Sequence, residues 1–220
     1  MSLQQQDFLL SANKFQIPEV IAESPGIQIG NTLVHSVLLS TDLAYIQNLD
    51  SDAIMTVNPF DKSTELDKVI IDFVPEPVLC DVGGGLLREQ KTIELAKGAI
   101  GAGAAGVVIT KPTAPEIIQN IRAEFDGLII YTVMFDAEPF QDLAQAGVDI
   151  FNISTGEYTA ASVSDIRAQL PDFPLMASGG PHDSAIRETI KAGADAIVFN
   201  PPTATEILRT VFDEYRSQRV

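Results

Sequence analysis

A single cysteine, Cys80, occurs in 220 residues. No intrachain disulfide framework can staple the fold, and this usage fits a reducing cytoplasm. Tryptophan is absent, and the 11 Phe and 4 Tyr decide nothing by themselves. Positive charge is scarce: 14 Lys and Arg against 30 Asp and Glu leave a net charge of −16. Such a chain is repelled by nucleic acid and by anionic membrane, so neither is an expected partner. The same charge opposes long-range steering of an anionic metabolite. Any anion site must therefore be built locally, from backbone amides or a placed lysine. No apolar run is long enough to span a bilayer, and no charged-then-apolar opening reads as a secretory leader. No His, Cys, Asp or Glu spacing matches a metal site, no Ser-His-Asp order stands out, and no cofactor is called for.

What is present is a regular alternation of short apolar runs and helix-length stretches, in a chain that is 45% apolar and 20% charged. The apolar runs are Leu33–Leu39, Ala53–Val57, Val78–Val82, Val107–Thr110, Leu128–Met134, Asp149–Ser154, Leu175–Ala177 (breaking into Ser178-Gly179-Gly180) and Ala196–Phe199. Each reads as a strand and is followed by a helical pattern. Leu66, Val69, Ile70 and Phe73 give the second helix its apolar positions, and Thr205 to about Arg216 forms the last. Asp183 or Ser184 is the expected N-cap of the seventh helix, with Gly193 as its C′ residue. Three segments share one pattern of glycine, small residue, short residue, strand: Gly103-Ala104-Ala105-Gly106, Gly147-Val148-Asp149 and Gly193-Ala194-Asp195. They lead into strands four, six and eight.

Eight strands alternating with eight helices, without a linker, predict one α/β domain: a closed parallel (β/α)8 barrel, the TIM barrel, over residues 31–220. An open doubly wound sheet is the rival, and the even run of repeats to the C-terminus argues against it. Residues 1–30 read as a short N-terminal helical extension, a pair of short helices over an opening with Pro18 in a first helical turn.

In such a barrel the chemistry sits where the strands end. The outer face packs on helices and should be apolar, so polar residues late in a strand are expected to point inward. That gives a ring of Ser40, Thr56 with Asn58, Asp81, Lys111, Thr132, Asn152 with Ser154, Ser178 and Asn200. Asp81 and Lys111 are its only formal charges and stand on neighbouring strands, a reasonable acid–base couple beside a carbonyl. A plain ion pair tying two strands is the alternative. Ser178, Gly179 and Gly180 precede a helix and could hold an anion through amides, or form a tight turn that needs glycine for conformation alone. Gly83-Gly84-Gly85 offers a second amide-rich pocket, or simply leaves room for a substrate. His182, Glu157 and Tyr158 read as loop residues near the mouth, while His35 and Cys80 read as satisfied core residues.

Ala177-Ser178-Gly179-Gly180 through Ala192-Gly193-Ala194-Asp195-Ala196-Ile197-Val198 resembles the last quarter of the phosphate-binding TIM barrels. That group includes the ribulose-phosphate-binding enzymes and the N-acetylmannosamine-6-phosphate epimerases. Ser154-Thr155-Gly156-Glu157-Tyr158-Thr159 is similar to the epimerases' strand-six segment. The resemblance implies a phosphate held at Gly179 and Gly180. After strand eight the sequence departs from that group: Asn200 leads into Pro201-Pro202, and neither proline has an N–H. Thr110-Lys111-Pro112-Thr113 and Asn58-Pro59 look similar to segments of transaldolase-type aldolases, with one residue fewer between Lys and Pro. That resemblance implies Lys111 as a Schiff-base nucleophile.

Three readings follow. The first is a small-molecule enzyme, an isomerase, epimerase or lyase acting next to a carbonyl of a sugar phosphate or keto acid, with Asp81 as base and Lys111 as polarising cation. Ser178, Gly179, Gly180, Asn200, Asn58, Asn152, Gly84 and Gly85 would bind its substrate. The second is a Schiff-base aldolase centred on Lys111. The third is a non-catalytic barrel that binds a metabolite. The only partner expected is the small molecule itself, with a homo-oligomer open.

Overall fold

Strands this rich in Val, Ile and Leu need cover on both faces, and only helices outside and a packed interior within can supply it. The computed structural model describes residues 16–57, 64–84, 89–110, 113–134 and 138–217. Its eight parallel strands are β3 (Ser36–Leu39), β4 (Ala53–Met55), β5 (Val78–Gly84), β6 (Gly106–Thr110), β7 (Leu128–Val133), β8 (Ile150–Ile153), β9 (Leu175–Ser178) and β10 (Ala196–Phe199). They close in sequence order, β10 pairing with β3. The helices that follow them are α1 (Leu43–Asn48), α2 (Glu65–Phe73), α3 (Glu89–Gly101), α4 (Pro115–Glu124), α5 (Phe140–Ala146), α6 (Thr159–Gln169), α7 (Asp183–Lys191) and α8 (Ala204–Ser217). The expected (β/α)8 barrel is present.

Alternation along each strand divides the core in two. One layer, including Leu38, Ile54, Val107, Ile129, Phe151 and Ile197, faces the helices and meets Ile70, Ala96, Ile118, Leu143, Val163 and Ile186. The other fills the barrel: Val37, Ala53, Met55, Leu79, Val108, Ile130, Ile150, Met176, Ala196 and Val198.

Of the N-terminal extension, residues 1–15 lie outside the described residues, and with them part of the expected pair of helices. The extension's described part holds one short 3-10 helix, Glu19–Glu23, and then an antiparallel hairpin of β1 (Ile27–Ile29) and β2 (Thr32–Val34). Ile27, Ile29 and Val34 join the interior cluster, so the hairpin stoppers the end where the strands begin. The physical reason lies in the turn. Gly30-Asn31 is a two-residue loop between alternating apolar residues, and Gly30 sits at φ +57°, the backbone such hairpins require. Part of the expected first strand, Leu33–Leu39, accordingly belongs to β2.

Two helices also depart in detail. Val69 and Phe73 of α2 are 50% and 45% exposed, and the buried face is Asp67 with Ile70. At the head of α7 the N-cap is His182 rather than Asp183 or Ser184, and its side chain makes no capping bond. Before α1 the N-cap is Asp42, whose side chain accepts from the Ala44 amide at 3.0 Å.

The internal repeat has a physical basis. Gly147 and Gly193 sit at φ +115° and +112°, each under the stem of an arginine from the helix one unit earlier, Arg122 of α4 and Arg167 of α6. Those guanidiniums bond the glycine carbonyls, at 2.8 Å for Gly147 and 2.7 Å for Gly193. They also pair with the aspartates two residues on, Asp149 and Asp195. Each aspartate accepts in turn from the first amides of the strand before, Ile129 N at 2.8 Å and Leu175 N at 2.9 Å. The copy at Gly103 keeps the left-handed glycine but carries Ala105 where the aspartate stands.

Cys80 lies on the helix-facing side of β5, fully buried. Burial first, then the charge of Asp67, pushes its thiol well above the ordinary range. The thiolate is the reactive form, so native protein at pH 8 is expected to resist iodoacetamide and to be alkylated at Cys80 only once unfolded in urea. Mass spectrometry of intact protein reads this, and rapid native alkylation would contradict the burial.

Candidate functional site

Side chains paired across parallel strands share a face, so the register decides which strand-end groups look into the barrel. Asp81 pairs with Val108 and Val108 with Ile130, both interior residues. Asp81 is therefore an interior residue, half-buried, in the upper part of β5. Thr110, Thr132 and Asn152 form a row one step higher. Among the described strand positions that face inward, Asp81 is the one formal charge. The expected inward ring stands at Asp81, Thr132, Asn152, Ser154 and Ser178.

A bulge follows Asp81: Asp81 pairs with Val108, but Gly83 pairs with the very next residue, Ile109. Val82 is the extra residue, and it is buried against the helices. Gly83, at φ +84°, supplies the backbone the bulge needs. Its amide donates to Asp81 Oδ1 at 2.9 Å, which fixes that carboxylate beside the strand.

Asn152, 5% exposed, is the most buried member of the ring. Its Nδ2 donates to Thr132 Oγ1 at 3.2 Å and lies 4.0 Å from Met55 Sδ across the barrel. Its Oδ1 is buried with no partner. Beside it the Ser178 hydroxyl donates to Ser154 Oγ at 3.1 Å.

Thr56 does not belong to the ring. Ala53 and Met55 face inward, so parity turns Thr56 outward, where its hydroxyl donates to the buried Asp67 Oδ1 at 2.7 Å. Thr56 Oγ1 in turn accepts from the Asp81 amide at 3.2 Å. An outward polar residue is tolerated here because α2 brings it a carboxylate. Ser40 uses its hydroxyl to accept from the Asp42 amide ahead of α1. The Asp67–Thr56–Asp81 chain of bonds escaped sequence reasoning. The available signal was Asp67 three residues before Ile70, on the buried side of α2.

The diglycine corner is divided in purpose. Gly179 gives its N–H to Val198 O at 3.3 Å. A Cβ there would stand 2.7 Å from Ile197 Cγ2 and 3.0 Å from Ile186 Cγ1, so this glycine lets α7 approach β10. Gly180, at φ +78°, is exposed and keeps the left-handed turn. Asn200 follows β10 and is exposed, as are Glu157, Tyr158 and His182. Gly84 ends β5. Asn58, Gly85 and Lys111 lie outside the described residues. His35 is a structural group, with Nδ1 2.9 Å from Ser24 O.

At the opposite end a cleft of about 600 Å³ lies between the hairpin and the loops that enter the strands, lined by Gln28, Asn31, Glu76, Arg122 and Asp126. None of the strand-end residues reaches it, and in barrels that end serves stability. Among the described residues no group of His, Cys, Asp and Glu could hold a metal, and no helix is long and apolar enough to cross a membrane.

No family model matches the sequence, and no curated protein matches it. Solved structures do. 2,3-dimethylmalate lyase, a PEP mutase/isocitrate lyase superfamily member, is 14% identical with a TM-score of 0.63, over 90% of this chain and 84% of that one. QR15, an aldolase, is 19% identical with a TM-score of 0.59, over 84% of this chain and 98% of that one. Dihydrodipicolinate synthase from Aquifex aeolicus is 18% identical with a TM-score of 0.53, over 73% of this chain. The chain spans 61% of that synthase's length. At these identities the likeness is one of fold.

Proposed function

We propose that this chain is an enzyme that acts on a small molecule at a carbon next to a carbonyl, as an isomerase, epimerase or lyase. The observation that carries the reading is Asp81: one carboxylate, fixed by the Gly83 amide, among neutral hydrogen-bonding groups at the end of the barrel where chemistry occurs. The names of the lyase and the aldolase support it. In this reading the Asp81 carboxylate takes the proton from the carbon beside the carbonyl. The C–H electron pair moves into a C=C bond while the carbonyl oxygen gains the charge, which Lys111 and the strand-end hydroxyls stabilise. Return of the proton to either carbon gives isomerisation or epimerisation. In a lyase the same carboxylate takes instead the proton of a hydroxyl one carbon further on: that O–H electron pair forms a new C=O, the C–C bond beside the carbonyl breaks, and its electrons form the enolate, which is then protonated.

The test is proton exchange. Protein in D2O is incubated with dihydroxyacetone, hydroxyacetone and pyruvate, and loss of the C–H signal next to the carbonyl is followed by NMR. Catalysed exchange of at least one is expected, with no adduct after borohydride. A reduced adduct on Lys111 assigns the chemistry to a Schiff base instead. Binding without exchange would leave a metabolite-binding barrel and overturn the proposal.

A further inference from the structure

The hydrogen-bonding wall across β7, β8 and β9 has a composition that selects among carbonyl compounds. An anion such as phosphate takes donors only, whereas a hydroxyl gives one bond and accepts others. Thr132 Oγ1 accepts from Asn152 Nδ2, so its own hydroxyl hydrogen is left to donate. Ser154 Oγ accepts from Ser178, so its hydrogen is left in the same way. Asn152 Oδ1 is a buried acceptor with no partner, on the side chain whose amide nitrogen bonds Thr132. This wall therefore offers donors and an acceptor together. It carries no cation of its own.

The neighbouring corner is poorly furnished for a phosphate. The Gly179 amide is spent on Val198 O. Pro201 and Pro202, where the chain leaves β10, have no amide to give. Of the glycine amides the resemblance to phosphate-binding barrels would enlist, only that of Gly180 remains. The net charge of −16 works against an anion as well.

We infer that the substrate end lying against β7–β9 is a neutral, hydroxylated one, so that the substrate is an unphosphorylated hydroxy-carbonyl compound of the ketose kind. A substrate hydroxyl there accepts from Ser154 or Thr132 and donates to Asn152 Oδ1. This rests on the proposal that the mouth holds a carbonyl substrate, and adds which kind.

The experiment measures binding, which keeps it separate from turnover. Titration calorimetry compares D-ribulose with D-ribulose 5-phosphate, and dihydroxyacetone with dihydroxyacetone phosphate. The neutral member of each pair is expected to bind about tenfold more tightly, a gap typical of a mismatched polar site. In Ser154→Ala and Asn152→Leu the neutral compounds should lose about that factor, since the wall would no longer both give and accept. The wild-type preference stands as a test even if a variant fails to fold. Equal or tighter binding of the phosphorylated members overturns the inference, and so does absence of binding by the neutral members up to about 50 mM, beyond any useful site affinity. Neutral binding without exchange sinks the proton-transfer chemistry and leaves this inference standing. Exchange confined to phosphorylated compounds does the reverse.

Discussion

Asp81→Asn is expected to lower carbonyl-adjacent proton exchange by about 10²–10⁴-fold, the range for loss of a positioned acid–base group. The substitution is well suited to the site because it keeps the bonds that anchor the bulge. Asparagine keeps an Oδ1 that accepts from the Gly83 amide, now held at 2.9 Å by the carboxylate. The Asp81 amide still reaches Thr56 Oγ1, so the bulge remains anchored from the far side of the strand. Stability in urea should therefore stay within about 1 kcal/mol of wild type, while the proton acceptor is gone. Binding of a responsive probe should change far less than the rate, since only the transition state needs the base. Exchange within tenfold of wild type would remove Asp81 from the chemistry. A large loss of stability instead would mean that the carboxylate serves the bulge first.

Particular residues show how far the sequence carries. The count of eight strands was legible because strands such as β7, Leu128–Val133, are buried on both faces and read as unbroken apolar runs. The strand-end ring is legible where parity is secure: Asn152 on β8 with Ser154 directly after it, and Ser178 on β9. It failed at Thr56, on a strand of only three residues, because a shift of one position turns a side chain to the other face. Polarity late in a strand reads as a sign of pointing inward, but a buried carboxylate on α2 satisfies Thr56 from outside. Gly179 shows the other limit. The sequence leaves it open as an amide donor to an anion or as a glycine needed for a tight turn, and the contact distances to Ile186 and Ile197 add that it is a spacer. Which of these roles a glycine fills depends on the helix packed above it, and that is a tertiary fact. The hairpin was a missed local signal, since Gly30-Asn31 between alternating residues already spells its turn.

The same contrast between local pattern and tertiary bond governs the aspartates of the repeat. Asp195→Ala is expected to cost about 2–4 kcal/mol in urea unfolding, and the sum has two parts. Its Oδ2 is the acceptor for the Leu175 amide at 2.9 Å, and Leu175 is fully buried at the start of β9. Leaving that N–H without a partner costs about 1–3 kcal/mol. The ion pair to Arg167 adds less. Both side chains are about a quarter exposed, at 22% and 24%, so water screens it to about 1 kcal/mol or below. Arg167 itself is not stranded, because it keeps the carbonyls of Gly193, Pro171 and Phe173. Asp195→Asn separates the parts: its amide oxygen still accepts from Leu175, so only the ion pair is lost and the cost should fall to about 1 kcal/mol. Equal losses in the two variants would show that charge, not the capped strand amide, is what the repeat preserves. The ordered result, alanine well below asparagine, would identify the aspartate as the group that starts strand β9 in register and so sets Ser178 opposite Ser154 at the barrel's mouth.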